Sequence, residues 1–339
     1  MVSDKRLEEL GVVNWSALSK NFNGADLLLG NGFSLNITGH FNYDSLFQVF
    51  LRNCSPAECN TFKKFGTSSF EFILEKLLNT KDVNRILKIE ARNQIDNAIE
   101  RLKTGLVTAI QANHPRSDMI DWEQLKRVAN QLSTFNDIFT LNYDLFLYHI
   151  ILVLKDKYEV DQSVRPYNDY FWGDHSAQFK VFMDYQNYSQ YRHLYYLHGA
   201  LFLFQEPPDT LKLIRADYSK ELIKLIGDAI EEGRMPLFVS EGKSKEKVKA
   251  INRSAYLTFT RENLEKAERS LVIFGTSLSN QDRHIVKAIN YNRNKRDLAV
   301  SIHVGTKSSD DIEREINRIK KSFSLHKVQF FNSETLFDF

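Results

Sequence analysis

Apolar and polar positions follow two rhythms along this chain. Short, mainly apolar runs at residues 25–29, 138–141, 194–197, 236–239, 271–274, 298–304 and 328–331 have the length of strands buried on both faces. Between them apolar residues recur every three or four positions. That spacing predicts helices over 7–22, 42–51, 56–65, 68–79, 82–112, 121–133, 218–232, 255–268, 282–293 and 308–322, and a very apolar one ending near Lys155. The longest carries Ile95, Ile99, Leu102, Leu106 and Ile110 on a single stripe. Strand and helix alternate, which predicts an α/β chain with roughly seven mostly parallel strands and helices on both faces. Residues 200–204 are expected to return as a hairpin partner of 194–197.

Two stretches interrupt the rhythm. Residues 42–133 read as a helical insertion packed on the sheet. Residues 156–193, punctuated by Pro166, Asn168, Gly173 and Asp174, read as an irregular, aromatic-rich insertion with short strands. No repeat or low-complexity linker divides the 339 residues, so residues 1–339 are expected to form a single domain carrying both insertions.

Composition narrows the partners. The 45 basic and 43 acidic residues leave a net charge of only +2, so no global field favours nucleic acid or an anionic membrane. Of the 25 Phe and 14 Tyr, many crowd between Tyr167 and Phe204, and basic residues are not interleaved there as single-stranded nucleic-acid binding needs, which argues for a thick core or apolar cleft and against base stacking. No apolar run reaches the length of a membrane span and the N-terminus opens polar, so a cytoplasmic protein is expected. Only two cysteines occur, Cys54 and Cys59, too few for a zinc quartet; free, half-buried thiols are expected.

Candidate chemistry gathers where strands end. The run Ala25–Leu29 stops in Gly30-Asn31-Gly32-Phe33-Ser34, which reads as the first βα turn of a nucleotide-binding sheet: glycines allow a tight turn and close backbone approach to a pyrophosphate, and Ser34 is placed to cap the next helix. An ordinary turn is the plainer alternative. Ligands of open α/β sheets bind outside the carboxyl ends of strands, which puts Asn142, at the end of the second run, near Gly30; a plain helix cap is again the alternative. The run 194–197 delivers His198-Gly199 to the same edge. Lysines at 243–249 fit a solvated helix face better than a phosphate clamp. The run 271–274 ends in Gly275-Thr276-Ser277-Leu278.

Taken in order, Gly30-Asn-Gly-Phe-Ser34, Thr140-Leu-Asn-Tyr-Asp144, His198-Gly199 and Gly275-Thr-Ser-Leu278 resemble the successive glycine-rich, T-x-N-x-D, HG and GTSL motifs of the sirtuin (SIR2) superfamily. More closely, Leu27-Leu-Leu-Gly-Asn-Gly-Phe-Ser34, Phe139-Thr-Leu-Asn-Tyr-Asp144, Tyr196-Leu-His-Gly-Ala200 and Phe238-Val-Ser-Glu-Gly242 resemble the SIR2-like bacterial family DUF4917, over about residues 25–290. The resemblance implies a Rossmann-like α/β fold. The small zinc module of deacylating sirtuins is missing, and Leu141 stands where their T-Q-N-I-D segment has glutamine. An acyl-lysine tunnel is therefore in doubt.

The resemblance implies an NAD+ glycohydrolase that takes NAD+ as substrate, needs no metal and releases nicotinamide and ADP-ribose. Such proteins often act as abortive-infection effectors against phage, controlled by homo-oligomerisation or by a sensor partner. It makes His198 the base and gives Asn142 the water or ribose hydroxyls. Gly30, Asn31, Gly32, Phe33 and Ser34 take the pyrophosphate region, and Gly275, Thr276 and Ser277 the adenosine half. Asp144 either contacts the ligand or orients its own loop and the following helix. Asp282 faces a ribose or caps a helix, the cap being favoured. Nicotinamide leaves as a neutral group from a cationic one, so no general acid is needed, unlike ordinary glycoside hydrolysis. A non-catalytic NAD or ADP-ribose sensor and an NAD-dependent deacylase are the other readings.

Overall fold

The computed structural model describes residues 2–37, 46–90, 92–114, 120–160, 165–184, 190–214, 221–239, 244–291, 294–337 and 339. Its strands, in chain order, are β1 (Val12–Val13), β2 (Asp26–Leu29), β3 (Ile138–Thr140), β4 (Tyr167–Asn168), β5 (Phe171–Asp174), β6 (Phe179–Phe182), β7 (Arg192–Tyr196), β8 (Gly199–Glu206), β9 (Asp209–Leu213), β10 (Pro236–Phe238), β11 (Leu271–Phe274), β12 (Asp297–Ile302) and β13 (Lys327–Asn332). Eight of them form one sheet in the order β1-β13-β12-β11-β2-β3-β7-β4, and every pairing in it is parallel. The expected mixed α/β architecture is therefore present.

The β2 strand shows why the sheet is covered on both faces. Side chains alternate across a strand. Leu27 and Leu29 enter a large core with Phe33, Phe274 and the helices of the first insertion, while Leu28 enters a second core with Phe139, Ile273 and Val300. All three leucines are fully buried. Consecutive apolar residues are required when both faces are dry.

Several expectations need correction. The run 236–239 does not join the parallel sheet; β10 pairs antiparallel with β8 in a second, five-stranded antiparallel sheet ordered β10-β8-β9-β6-β5. Residues 200–204 do not fold back on 194–197. Instead, β7 stays in the parallel sheet and β8 leaves for the second, so the chain changes sheets at His198-Gly199. The 156–193 insertion does carry short strands, β4, β5 and β6, as expected; residues 161–164 and 185–189 lie outside the described residues.

At the N-terminus the single helix expected over 7–22 is divided. Helices Asp4–Glu9 and Trp15–Leu18 flank β1, whose two valines pair with β13 at the sheet edge. The expected long helix 82–112 is divided as well. Helix Phe70–Leu87 ends at Lys88, whose backbone is left-handed (φ 55°), and helix Arg92–Asn113 restarts the pattern. Ile99, Leu102, Leu106 and Ile110 are buried as the stripe requires, whereas Val83, Ile86, Leu87 and Ile89 remain exposed around the break. Among the described residues, no helix is long and apolar enough to cross a membrane.

The two cysteines are joined rather than free. Cys54 and Cys59 form a disulfide across the start of helix Pro56–Phe65, with their Cα atoms 6.0 Å apart. That helix start is independently fixed: Ser55 accepts from the Glu58 amide, Glu58 returns a carboxylate to the Ser55 amide, and Pro56 opens the first turn. Because the bridge closes so short a loop, replacing both cysteines by serine should lower stability by about 2 kcal/mol in urea denaturation. A loss much beyond about 4 kcal/mol would contradict a purely local role for it.

Candidate active site at the carboxyl edge of the parallel sheet

Register brings the motif residues level. Leu29 pairs with Thr140 and with Phe274, and Thr140 pairs with Tyr196, so β2, β3, β7 and β11 end on one line. From β2 the chain builds outward through β3 and β7 on one side, and through β11, β12 and β13 on the other. The β2/β11 junction is thus the point where strand order reverses, the usual ligand crevice of an open α/β sheet.

At that junction two glycine turns interlock. Gly30 N donates to the Phe274 carbonyl at 2.9 Å and Gly32 N donates to the Gly275 carbonyl at 2.7 Å. A Cβ on Gly30 would fall 2.6 Å from Thr276 Cβ, and one on Gly32 would fall 2.7 Å from Gly275 Cα. Gly275, at φ +70°, closes the other half: its Cβ would meet Phe33 N at 2.7 Å. Glycine is needed at these positions because backbone touches backbone.

Behind the clasp lies a buried polar chain. Asn142 Nδ2 donates to the Gly30 carbonyl (3.0 Å) and to Ser34 Oγ (2.9 Å), and Ser34 Oγ donates to Asp144 Oδ2 (2.5 Å). A carbonyl can only accept, so the amide's orientation is set by Gly30. Asn142 Oδ1 is then left buried with no hydrogen-bond partner among the described residues. Asp144 also accepts from the Phe146 amide at the start of helix Phe146–Val160. Burial raises the Asp144 pKa, against the pull of Ser34 and of nearby His114, and lowers that of His114.

His198 sits at the corner between the sheets. Gly199 follows it at φ +72°, and a Cβ there would lie 2.0 Å from the Leu237 carbonyl, because β10 crosses close and Val239 N donates to the His198 carbonyl at 2.7 Å. His198 Nε2 lies 2.8 Å from His284 Nε2. Ser244 Oγ accepts from the His284 amide (3.1 Å) and lies 3.3 Å from His284 Nδ1. The Asp282 carboxylate is ion-paired with Lys247 at 2.8 Å, both largely buried. Burial holds His198 well below its ordinary value, helped by the Lys247 charge and by His284. The same burial and the same lysine push His284 down to about 4.

A match to the family described as a domain of unknown function (DUF4917) covers residues 27–337. The chain belongs to the DUF4917 family. None of the curated proteins compared matches it.

In this DUF4917 chain the residues singled out from sequence separate into two groups. Gly30, Asn31, His198, Gly275, Thr276, Ser277 and Asp282 line a cavity of about 210 Å³. The others, Asn142 among them, stand behind it. Phe33 is a core residue, its ring 5.3 Å from that of Phe337. Ser34 lies inside helix Asn31–Ile37 and does not cap it, because the helix starts directly after Gly30. The space beside Gly32 is filled by Gly275 and is not open to a phosphate. Asp144 orients its own loop. Asp282 stands at the cap position of helix Arg283–Ile289 but makes no side-chain cap bond, its carboxylate being turned to Lys247.

Three further contributors come to light. Lys247 belongs to a lysine run whose Lys245 and Lys249 are exposed, whereas its own side chain turns inward to Asp282. His284 follows Asp282 by two residues and is buried. Tyr143, between Asn142 and Asp144, also lines the cavity. A neighbouring cavity of about 300 Å³ shares Val239 and Lys247 with the first, so the two together fall within the size range of small-molecule sites. Ser240, Glu241 and Gly242 lie outside the described residues. A larger cavity, about 600 Å³, lies beside Asn23 and Thr134, which precede β2 and β3; it carries Lys20 as its one charged residue and none of the motif residues, so size is a poor guide here.

Two outcomes are expected. Gly32→Ala should lower stability by about 1–3 kcal/mol, since its methyl must push the two turns apart; a variant as stable as the parent in chemical denaturation would remove the clasp. In chelator-treated protein, the ring ¹⁵N shifts of His198 and His284 should be those of neutral imidazoles at pH 6.5, with His284 charging only near pH 4. Two imidazolium signals at pH 6.5 would contradict the burial argument.

Proposed function

We propose that this chain is a SIR2-like NAD+ glycohydrolase, cleaving the nicotinamide–ribose bond of NAD+ to give nicotinamide and ADP-ribose. The observation that carries the reading is the Asn142 amide. It is clamped through its nitrogen and buried, and its oxygen has no donor among the described residues, in a motif between cavity-lining Leu141 and Tyr143. An unsatisfied buried acceptor costs about 1–3 kcal/mol, and a ribose hydroxyl or the attacking water is a donor of the right kind.

His198 supplies the second element. It lines the same cavity and its imidazole is neutral, so its lone pair accepts the proton released as water or a ribose hydroxyl attacks the anomeric carbon. That nitrogen faces His284, which the substrate must displace. Nicotinamide departs without needing an acid. Exclusion of bulk water strengthens every dipole aimed at the oxocarbenium-like ribose. The backbone and hydroxyls of Gly30, Asn31, Gly275, Thr276 and Ser277 are assigned to the phosphates and adenosine, with Lys247 as the cation that lines the same cavity. Phe33, Gly32, Ser34 and Asp144 support that wall from behind. NAD+ is an intracellular metabolite, so the reading places the activity in the cytoplasm, as an abortive-infection effector held in check by self-assembly or by a sensor partner.

The purified chain, alone and co-purified with the products of neighbouring genes, is incubated with NAD+ and no acyl substrate, and nicotinamide is measured. Release with equimolar ADP-ribose is expected. His198→Ala should reduce it by about 10²–10⁴-fold with NAD+ binding largely kept, and Asn142→Ala should reduce it as well. Tight NAD+ or ADP-ribose binding without turnover in every assembly would replace the hydrolase by a sensor.

A further inference from the structure

We propose that His198, His284 and Asp282 form a binding site for one divalent transition-metal ion of the zinc type, open to the cavity. Their ligand atoms lie within 4.8 Å of one another, and they come from two separate places: the β7–β8 corner, and the start of helix Arg283–Ile289, where Asp282 and His284 stand two residues apart. Two imidazoles and one carboxylate, with a remaining position facing a cavity, is the donor set of an open zinc site.

The orientation of the rings is the stronger argument. Both histidines point Nε2 at the same spot, 2.8 Å apart. His284 is held from its far side, its Nδ1 3.3 Å from Ser244 Oγ, and the Leu141 backbone acts on the His198 ring. Ligating histidines are oriented in this way, the far nitrogen fixed by a carbonyl or hydroxyl so that the near lone pair faces the ion. Without an ion a single proton bridges the two nitrogens. With metal–nitrogen bonds of about 2.0–2.1 Å at a tetrahedral angle, the nitrogens stand about 3.3 Å apart, so the rings need separate by only about half an ångström.

Lys247 opposes the ion. It holds Asp282 Oδ1 at 2.8 Å and places a positive charge beside the site, leaving the other carboxylate oxygen for the metal. Removing that charge should therefore tighten binding. An ion at this point also occupies the His198 lone pair, so metal loading would switch off any reaction that uses His198 as base. That consequence rests on the hydrolase reading; the site itself does not.

The test uses the full chain after dialysis against a chelator. Titration with Co²⁺, followed by its visible ligand-field absorption, should saturate at one equivalent with a tetrahedral-type band, and Zn²⁺ should displace it. His284→Ala should abolish the band, Ser244→Ala should weaken binding by roughly 10–100-fold, and Lys247→Met should strengthen it. Absence of stoichiometric binding by the parent chain, or unchanged binding in folded His284→Ala, overturns the site. Because both histidines are buried and a variant can misfold, the zinc-loaded parent is also examined by X-ray absorption. Two imidazoles at about 2.0–2.1 Å are expected, and fewer than two overturns the proposal. Loss of nicotinamide release on zinc loading would extend the site to regulation. Metal binding by a chain that never releases nicotinamide would leave the site standing while the hydrolase reading fell.

Discussion

Everything at the functional edge depends on how closely the β2 and β11 turns approach. Two backbone hydrogen bonds join them, and the space between is smaller than a methyl group at Gly30, Gly32 and Gly275. Adjacent parallel strands stand about 4.8 Å apart, and their following turns ordinarily diverge toward helices on opposite faces. Holding them together fixes the Gly30 carbonyl, which fixes the Asn142 amide, which with Ser34 and Asp144 fixes the third strand end. One steric constraint thus propagates through four buried polar groups to the cavity wall.

The second sheet contributes what a plain doubly wound fold lacks. By leaving the parallel sheet at His198-Gly199, the chain buries an imidazole between two sheets and not on an open edge. Burial disfavours charge, and Lys247 adds to this, so two histidines and a lysine share a small volume with only one carboxylate among the described residues lining it. The result is a neutral imidazole pair beside a cation. That arrangement suits a lone-pair donor facing an anionic nucleotide, and it leaves the same lone pairs available to a metal.

Much of this was legible in the sequence. Mainly apolar runs marked the parallel strands, since strands dry on both faces need not alternate, and their polar or glycine endings lie together at one edge of the sheet. The order of Gly30, Asn142, His198 and Gly275 placed them on one line before any register was known. Other features lay beyond periodicity. The run 236–239 reads like a parallel strand, and only its pairing with β8 assigns it to the second sheet. Gly32 and Ser34 look like ligand-facing loop residues, but the helix begins at Asn31 and turns them toward protein. Lys247 could not be told from its exposed neighbours, because a lysine's direction is set by tertiary packing. Cys54 and Cys59, five residues apart, gave no sign of being paired.

The central claim is that the ligand binds at the glycine clasp with a ribose against Asn142. A crystal structure of the metal-free chain with ADP-ribose tests it most directly. The account requires the ligand in the cavity between Gly30 and Gly275, with a hydroxyl or a bridging water within about 3.2 Å of Asn142 Oδ1 and His198 facing the ribose. ADP-ribose bound in the larger cavity beside Asn23 and Thr134, or bound at the clasp with Asn142 Oδ1 still lacking a partner, would contradict it.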